Sequence, residues 1–207
     1  MFRSIATAST LFAMLMASPI AFSHPETTHA MSETGLLAGL LHVLTGADHL
    51  LAMLALGLWA ASLNTRQRLI INTGLPMVLT AGLLVGLAIN IPIFAALGIA
   101  MSLIWLGALV ITLGSNKALT LTAPVIAASS VLILAHGIAH SGGIQSGVTT
   151  SMLIYGVGVL FASCVIQQMG QWVGKKLVHH FPEMTKTAGA LVSLSGLALL
   201  GTRLVAG

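Results

Sequence analysis

Residues 39–59 read GLLHVLTGADHLLAMLALGLW and place His42, Asp48 and His49 inside an otherwise apolar run. A transmembrane helix needs about 20 predominantly apolar residues, so this run is long enough to cross a bilayer. A charged residue at the centre of such a helix costs about 2.5–3.5 kcal/mol on insertion scales, and its presence marks a functional site by default. The stretch therefore predicts a membrane fold and the position of its site.

The composition of the whole chain is typical of an integral membrane protein. Hydrophobic residues make up 57% of the 207 residues and charged residues only 6%, against about 25% charged residues in soluble domains. The formal net charge is +4, but no basic run of the kind that binds nucleic acid is present. Cys164 is the single cysteine, which excludes an internal disulfide and a cysteine-based zinc site. We therefore expect the lipid bilayer as a partner, and no nucleic acid.

The first residues have the pattern of a secretory signal peptide. Arg3 precedes an apolar core from residue 5 to residue 16, and the small residues Ala21 and Ser23 follow. We expect cleavage after Ser23, which removes residues 1–23 and leaves residues 24–207 as one membrane domain. The alternative is an uncleaved N-terminal helix.

Six further apolar segments predict an all-α, polytopic membrane bundle of six transmembrane helices. The expected spans are 34–63, 69–89, 91–113, 118–139, 149–173 and 187–205. Lysine and arginine lie in alternate connections, as the positive-inside rule requires if both mature termini lie outside the cytoplasm. These basic residues are Arg66, Arg68, Lys117, Lys175, Lys176 and Lys186.

Glycine pairs at four-residue spacing indicate where helices come close, because small residues let helix backbones approach each other in lipid. The pairs are Gly35 with Gly39, Gly82 with Gly86, and Gly170 with Gly174. We use them to predict a compact bundle.

Histidines form a second group near the 39–59 stretch. His136 and His140 have the i, i+4 spacing that places two imidazoles on one helix face. In the expected topology this pair lies at the outer end of the fourth span. Imidazole with carboxylate suits borderline divalent ions such as nickel, cobalt and zinc. The expected metal-binding residues are His24, His29, His42, Asp48, His49, His136 and His140.

The spacing of His42 and His49 leaves one question open. Seven residues of straight α-helix would separate them by about 10.5 Å, which is too far for one metal ion. Either the helix is broken at Gly46, which is tolerated where backbone lines a cavity, or the residues are successive stations on a path. Our hypothesis for such a path is that His136 and His140 pass an ion inward to the 42–49 group.

Two weaker polar groups lie near the expected cytoplasmic side. Gln167, Gln168 and Gln171 either line an exit or bridge helices through hydrogen bonds. His179 and His180 lie in the loop expected after the fifth span, where they either receive an exiting ion or are simply solvated.

At these residues the chain resembles the HupE/UreJ family of bacterial nickel and cobalt permeases. The resemblance is carried by HPETTH at 24–29, by LLAGLLHVLTGADHLLAMLALGLWAA at 36–61 and by HGIAH at 136–140. It implies a secondary transporter of the bacterial inner membrane that imports Ni²⁺ or Co²⁺, with periplasmic termini, no enzymatic activity and no resident cofactor. Zn²⁺ is a further candidate cargo. The motif positions are His24, His42, Asp48, His49, His136 and His140.

The resemblance also implies partners and shows departures. Cytosolic metallochaperones of urease or hydrogenase would receive the ion. The second family motif is HGxAHGxE, whereas this chain has Ser141 in place of the glycine and Gly143 in place of the glutamate. Val43 stands where the family frequently has proline. We expect the missing carboxylate to change metal preference or rate and to leave the mid-membrane site in place.

Two other functions are compatible with the same residues. An intramembrane metalloenzyme of the histidine-box type also uses H-x3-H pairs. Such enzymes have more histidines, which are concentrated on the cytoplasmic side, whereas the histidines of this chain are expected outside and mid-membrane. A membrane metal-binding or sensor protein would bind the ion without moving it, and the sequence leaves that alternative open.

Overall fold

A computed structural model describes residues 35–89, 91–113, 122–141 and 149–206. All regular secondary structure in these ranges is α-helical. The helices are α1 (Leu36–Thr45), α2 (Ala47–Ala61), α3 (Thr65–Ala88), α4 (Pro92–Ile111), α5 (Ala123–Ala139), α6 (Thr150–His180) and α7 (Pro182–Ala206). The expected signal peptide, residues 1–23, lies outside the described residues, as do His24 and His29.

Four of these helices, α3, α4, α6 and α7, are long and apolar enough to cross a membrane. Helices α1 and α2 pass the same test only as a pair, because a bend of 79° separates them. Helix α5 is apolar but has only 17 residues. The prediction of an all-α fold with several membrane-crossing helices is confirmed, and six passages stay a prediction.

Helix α6 runs parallel to the broken pair α1 and α2. Gly39 of α1 lies against Gly158, and Gly57 of α2 lies against Gly170, which is further along α6. A Cβ atom on Gly57 would come within 2.8 Å of the Gly170 Cα atom. The two backbones are therefore too close for any side chain at this crossing.

Helices α3 and α5 form a second parallel pair. Gly82 lies against Gly137, with 2.9 Å between a Cβ built on Gly82 and the Gly137 Cα, and Gly86 lies against Ser141. Among the glycines predicted to form contacts, only Gly35 has open space around it. The close approaches at the other five glycines agree with the compact bundle that the glycine pairs predicted.

Helix α4 joins these pairs in the opposite direction. Trp105 Nε1 donates a hydrogen bond to Ser129 Oγ of α5 at 3.0 Å, and Gly107 lies against Gly189 of α7. Because Gly196, further along α7, lies against Ala100, α4 and α7 are antiparallel. All these directions are those expected if successive spans alternate in orientation.

The core lies around α2, which contacts α1, α3, α4, α6 and α7. Leu56 and Trp59 of α2 are fully buried, as are Leu103 and Leu109 of α4. In contrast, α3, α6 and α7 each expose large apolar side chains on their outer faces, as helices that face lipid do. A central α2 places its first turn deep inside the bundle.

The prediction of a loop between residues 173 and 187, after the fifth span, is wrong. Helix α6 continues through Lys175 and Lys176 to His180, and Phe181 alone separates it from α7. With 31 residues, α6 is about 46 Å long, against about 30 Å for the hydrocarbon core. Charged residues ended the apolar run in the sequence, but they did not end the helix.

Candidate metal site

A break in the helix at Gly46 creates the site. Helix α1 ends at Thr45, α2 begins at Ala47, and the axes differ by 79°. The Gly46 N–H donates to the His42 carbonyl oxygen at 3.0 Å. A Cβ atom at Gly46 would lie 2.9 Å from that oxygen and 3.2 Å from His49 Nδ1, so the turn has no space for a side chain. Of the two alternatives left open by the sequence, the broken helix is the one observed.

The bend brings three histidine rings together. The ring centroids of His42 and His49 are 5.1 Å apart, and His140 lies 5.0 Å from His42 and 4.6 Å from His49. One ring nitrogen of each residue lies within 4.8 Å of those of the other two. Metal–nitrogen bonds are about 2.0–2.1 Å long, so modest side-chain rotation would let the three nitrogens share one ion.

His136 adds a fourth ring, whose centroid lies 5.3 Å from that of His49. Its Nδ1 lies 3.3 Å from Ser102 Oγ and 3.3 Å from the Leu132 carbonyl oxygen. Ser102 donates its own hydrogen to the Ile99 carbonyl at 2.7 Å, so its oxygen can only accept from the ring. A carbonyl oxygen only accepts, so these contacts favour the Nδ1–H tautomer, in which Nε2 has the lone pair that metal binding requires.

Asp48 lies behind His49. Its Oδ1 is 2.9 Å from His49 Nδ1, and it also accepts the His49 backbone N–H at 2.9 Å. As a carboxylate, Asp48 accepts the Nδ1–H of the ring and directs Nε2 away from itself. Asp48 does not belong to the group of three nitrogen ligands. It stays a predicted residue of the metal site, and the geometry favours an orienting role for it.

The backbone contributes charge around the histidines. Helices α1 and α5 both end at the cluster, and the carboxyl end of a helix is its partially negative end. Helix α2 begins there with its partially positive end, and Asp48 in its first turn offsets that charge. His49, His136 and His140 are each at most 6% exposed, whereas His42 is half-buried. The surroundings favour a cation that is stripped of most of its water.

The sequence suggested that His136 and His140 pass an ion to a separate group at residues 42–49. In the structure the two groups form one cluster. His140 touches both His42 and His49, so no gap exists across which an ion would be passed. His180, in contrast, is exposed at the other end of α6. It is 25 residues from Tyr155, or about 37 Å along the helix, and Tyr155 lies beside His42. The side chain of His179 is outside the described part of the structure.

Sequence reasoning missed two residues that contact predicted ones. Ser102 binds His136, and Asn72 of α3 accepts hydrogen bonds from Gln167 and Gln171 of α6. The glutamines therefore bridge two helices, as one of the alternatives held, while Gln168 is exposed. Asn72 could have been noticed as an amide inside an apolar span, but a single serine in a span carries no signal.

Comparison with known proteins gives two matches. The family model described as HupE / UreJ protein matches residues 12–199. Protein HupE of Rhizobium leguminosarum bv. viciae is 30% identical over 185 residues, which cover 87% of this chain and 93% of that protein. No solved structure matches the chain.

Proposed function

The chain belongs to the HupE/UreJ family, and on that premise we propose that it imports Ni²⁺ or Co²⁺ across the bacterial inner membrane. The observation that carries the proposal is the meeting of His42, His49 and His140, with ring nitrogens within 4.8 Å of one another. Imidazole nitrogen suits borderline divalent ions of this kind, and Zn²⁺ is a further candidate.

The proposed topology has six passages and a cleaved signal peptide of residues 1–23. The broken pair α1 and α2 forms the first passage, and α5 forms the fourth. At 17 residues, α5 is about 26 Å long, close to the thickness of the hydrocarbon core. The parallel and antiparallel helix contacts support this assignment.

The charges support one orientation of the bundle. Arg66 and Arg68 lie at the start of α3, and Lys175 and Lys176 lie near the end of α6. The positive-inside rule places these helix ends in the cytoplasm. Both mature termini are then periplasmic, and the histidine cluster lies nearer the periplasmic face, with His24 and His29 as proposed capture residues ahead of it.

Uptake in this proposal needs no enzymatic step and no ATP. The hydrated ion exchanges water for imidazole nitrogens, while Asp48 and Ser102 keep the rings of His49 and His136 in the tautomer that binds metal. A divalent cation that crosses 100 mV gains about 4.6 kcal/mol, twice the roughly 2.3 kcal/mol per unit charge. Cytosolic metallochaperones of urease or hydrogenase are the proposed recipients.

Uptake of radiolabelled nickel and cobalt into proteoliposomes, under an inside-negative potential, tests the proposal. We expect the native protein to accumulate one or both ions and His140→Ala to lose uptake. His180→Ala is the matched control, because His180 is an exposed histidine at the opposite end of the bundle. Binding of the ions without accumulation by the native protein would instead establish a metal-binding or sensor protein that does not transport.

A further inference from the structure

A second polar cluster, the amide cluster, consists of Asn72, Gln167 and Gln171 between α3 and α6. Gln167 Nε2 donates to Asn72 Oδ1 at 3.2 Å, and Gln171 Nε2 donates to the same oxygen at 2.6 Å. Gln167 is 0% exposed and Gln171 is 3% exposed. Polar side chains so deep in a membrane bundle either hold helices together or line the path of a polar substrate.

The hydrogen bonds between α3 and α6 leave one side-chain oxygen of the amide cluster without a donor among the described residues. Gln167 Oε1 is buried and has no hydrogen-bond partner among the described residues. The orientation of this amide is set by Asn72, whose oxygen receives the N–H groups of both glutamines. A bridge between helices has no need of the extra oxygen, and burying it unsatisfied is unfavourable. We read the unpaired Gln167 Oε1 as a binding position for a ligand that donates hydrogen bonds. The water shell of a cation is such a ligand.

The amide cluster lies on the helices that build the histidine site. Gly57 of α2 packs against the backbone of Gln167, and the eight residues from His49 to Gly57 span about 12 Å. On α6, Tyr155 lies with its ring 6.0 Å from that of His42. Twelve residues further along α6, or about 18 Å, the same helix presents Gln167.

The cluster also lies close to the basic ends of these helices. Asn72 is one turn from Arg68 on α3, and Gln171 is one turn from Lys175 on α6. In the proposed orientation these arginine and lysine side chains mark the cytoplasmic surface. On α6, Gln171 is therefore the last buried polar side chain before the cytoplasm within the described residues, and on α3 the half-buried Arg68 follows Asn72.

An apolar segment separates the two polar clusters. Met53 lies one turn beyond His49 on α2, and Leu75 and Leu79 lie beyond Asn72 on α3 in the direction of the histidines. These three side chains are each at most 3% exposed. A buried apolar segment between two polar clusters is the arrangement that a hydrophobic gate in an ion path uses.

We propose that Asn72, Gln167 and Gln171 form a second cation station on the cytoplasmic side, which holds the ion through its water ligands after it leaves the histidines. This inference rests on the proposed transport function. Gln167 Oε1 accepts hydrogen bonds from the hydrated ion, and Asn72 and Gln171 fix its position. Neutral amide oxygen holds such ions less strongly than imidazole does, which suits a station that must release them.

The variant Gln167→Met tests the station by removing the surplus oxygen while keeping the side-chain length. Gln168→Met is the matched control, since Gln168 is the adjacent but exposed glutamine. We expect Gln167→Met to bind nickel at equilibrium as the native protein does and to slow initial nickel uptake into proteoliposomes roughly tenfold. Gln168→Met should change neither quantity. Uptake by Gln167→Met at the native rate would overturn the proposal.

A second variant decides the proposal even if Gln167→Met does not fold or the native protein does not transport. Gln167→Glu places a strong metal ligand at the station. Combined with His140→Ala, which disrupts the histidine site, it should bind one equivalent of nickel, whereas His140→Ala alone should bind much less. If the folded double variant binds no more nickel than His140→Ala alone, the station does not exist. Failure of native uptake contradicts the transport function alone.

Discussion

Asp48 Oδ1 lies 2.9 Å from His49 Nδ1. This buried carboxylate therefore contacts one member of the three-histidine group without belonging to the group itself. A carboxylate in this position fixes the tautomer and orientation of the imidazole. It also brings a negative charge close to a divalent ion without occupying a coordination position. Its hydrogen bonds to the ring and backbone of His49 offset part of the free-energy cost of placing an ionisable residue in an apolar span.

The first prediction separates an orienting Asp48 from a ligating one. Asp48→Asn keeps the size of the side chain but removes its charge, and we expect nickel affinity to fall about 10- to 100-fold. His49→Ala removes a ligand and should abolish specific binding. Equilibrium binding to the purified variants measures both. Equal and complete loss of binding in the two variants would show that Asp48 is a ligand itself.

The second prediction concerns Ser102, which accepts the Nδ1–H of His136. Ser102→Ala removes one of the two acceptors near that proton and leaves the Leu132 carbonyl, so nickel affinity should fall by about tenfold or less. Ser195→Ala is the matched control, because Ser195 is also buried and its hydroxyl donates to the Leu191 carbonyl of its own helix. If both variants bind nickel with native affinity, Ser102 does not position His136.

The third prediction tests the bend at Gly46. Gly46→Ala introduces a Cβ atom 2.9 Å from the His42 carbonyl oxygen and 3.2 Å from Asp48 Oδ1. The bend must open to accommodate it, which moves His42 from His49, and we expect at least about tenfold weaker nickel binding. Gly74→Ala is the control, since nothing lies within 4 Å of a Cβ there. Native affinity in Gly46→Ala would mean that the bend is not required.

The fourth prediction concerns packing away from the site. A Cβ atom on Gly189 of α7 would lie 2.7 Å from the Gly107 carbonyl oxygen of α4. Gly189→Ala should therefore destabilise the protein by about 1–3 kcal/mol and lower its unfolding temperature in detergent. Gly201→Ala, on the same helix with open space around it, should not. Equal unfolding temperatures for the two variants would contradict the close α4–α7 contact.

Much of this arrangement follows from local sequence. The apolar runs predicted the apolar helices, Asp48 with its histidines marked the candidate site, and glycine spacing predicted a compact bundle. These features depend on neighbouring residues, whose hydrophobicity and size act over a few turns of one helix.

The remainder depends on how distant helices meet. The 79° bend was only one of two alternatives at Gly46, and it decides whether His42 and His49 share an ion. His140 contacts His42 although the two lie far apart in the chain. The same is true of Gln167 and Asn72, which are joined by a hydrogen bond. The extension of α6 beyond the apolar run was missed because hydropathy marks where a run stops being apolar, not where a helix ends. Lysine and leucine are good helix formers and let α6 continue.

The most direct measurement is X-ray absorption spectroscopy of the purified protein loaded with one equivalent of nickel, beside the His140→Gln variant. The account predicts at least three imidazole nitrogens on the nickel of the native protein and one fewer in the variant, because His42, His49 and His140 converge. Coordination by oxygen alone, or an imidazole count that His140→Gln leaves unchanged, would contradict it.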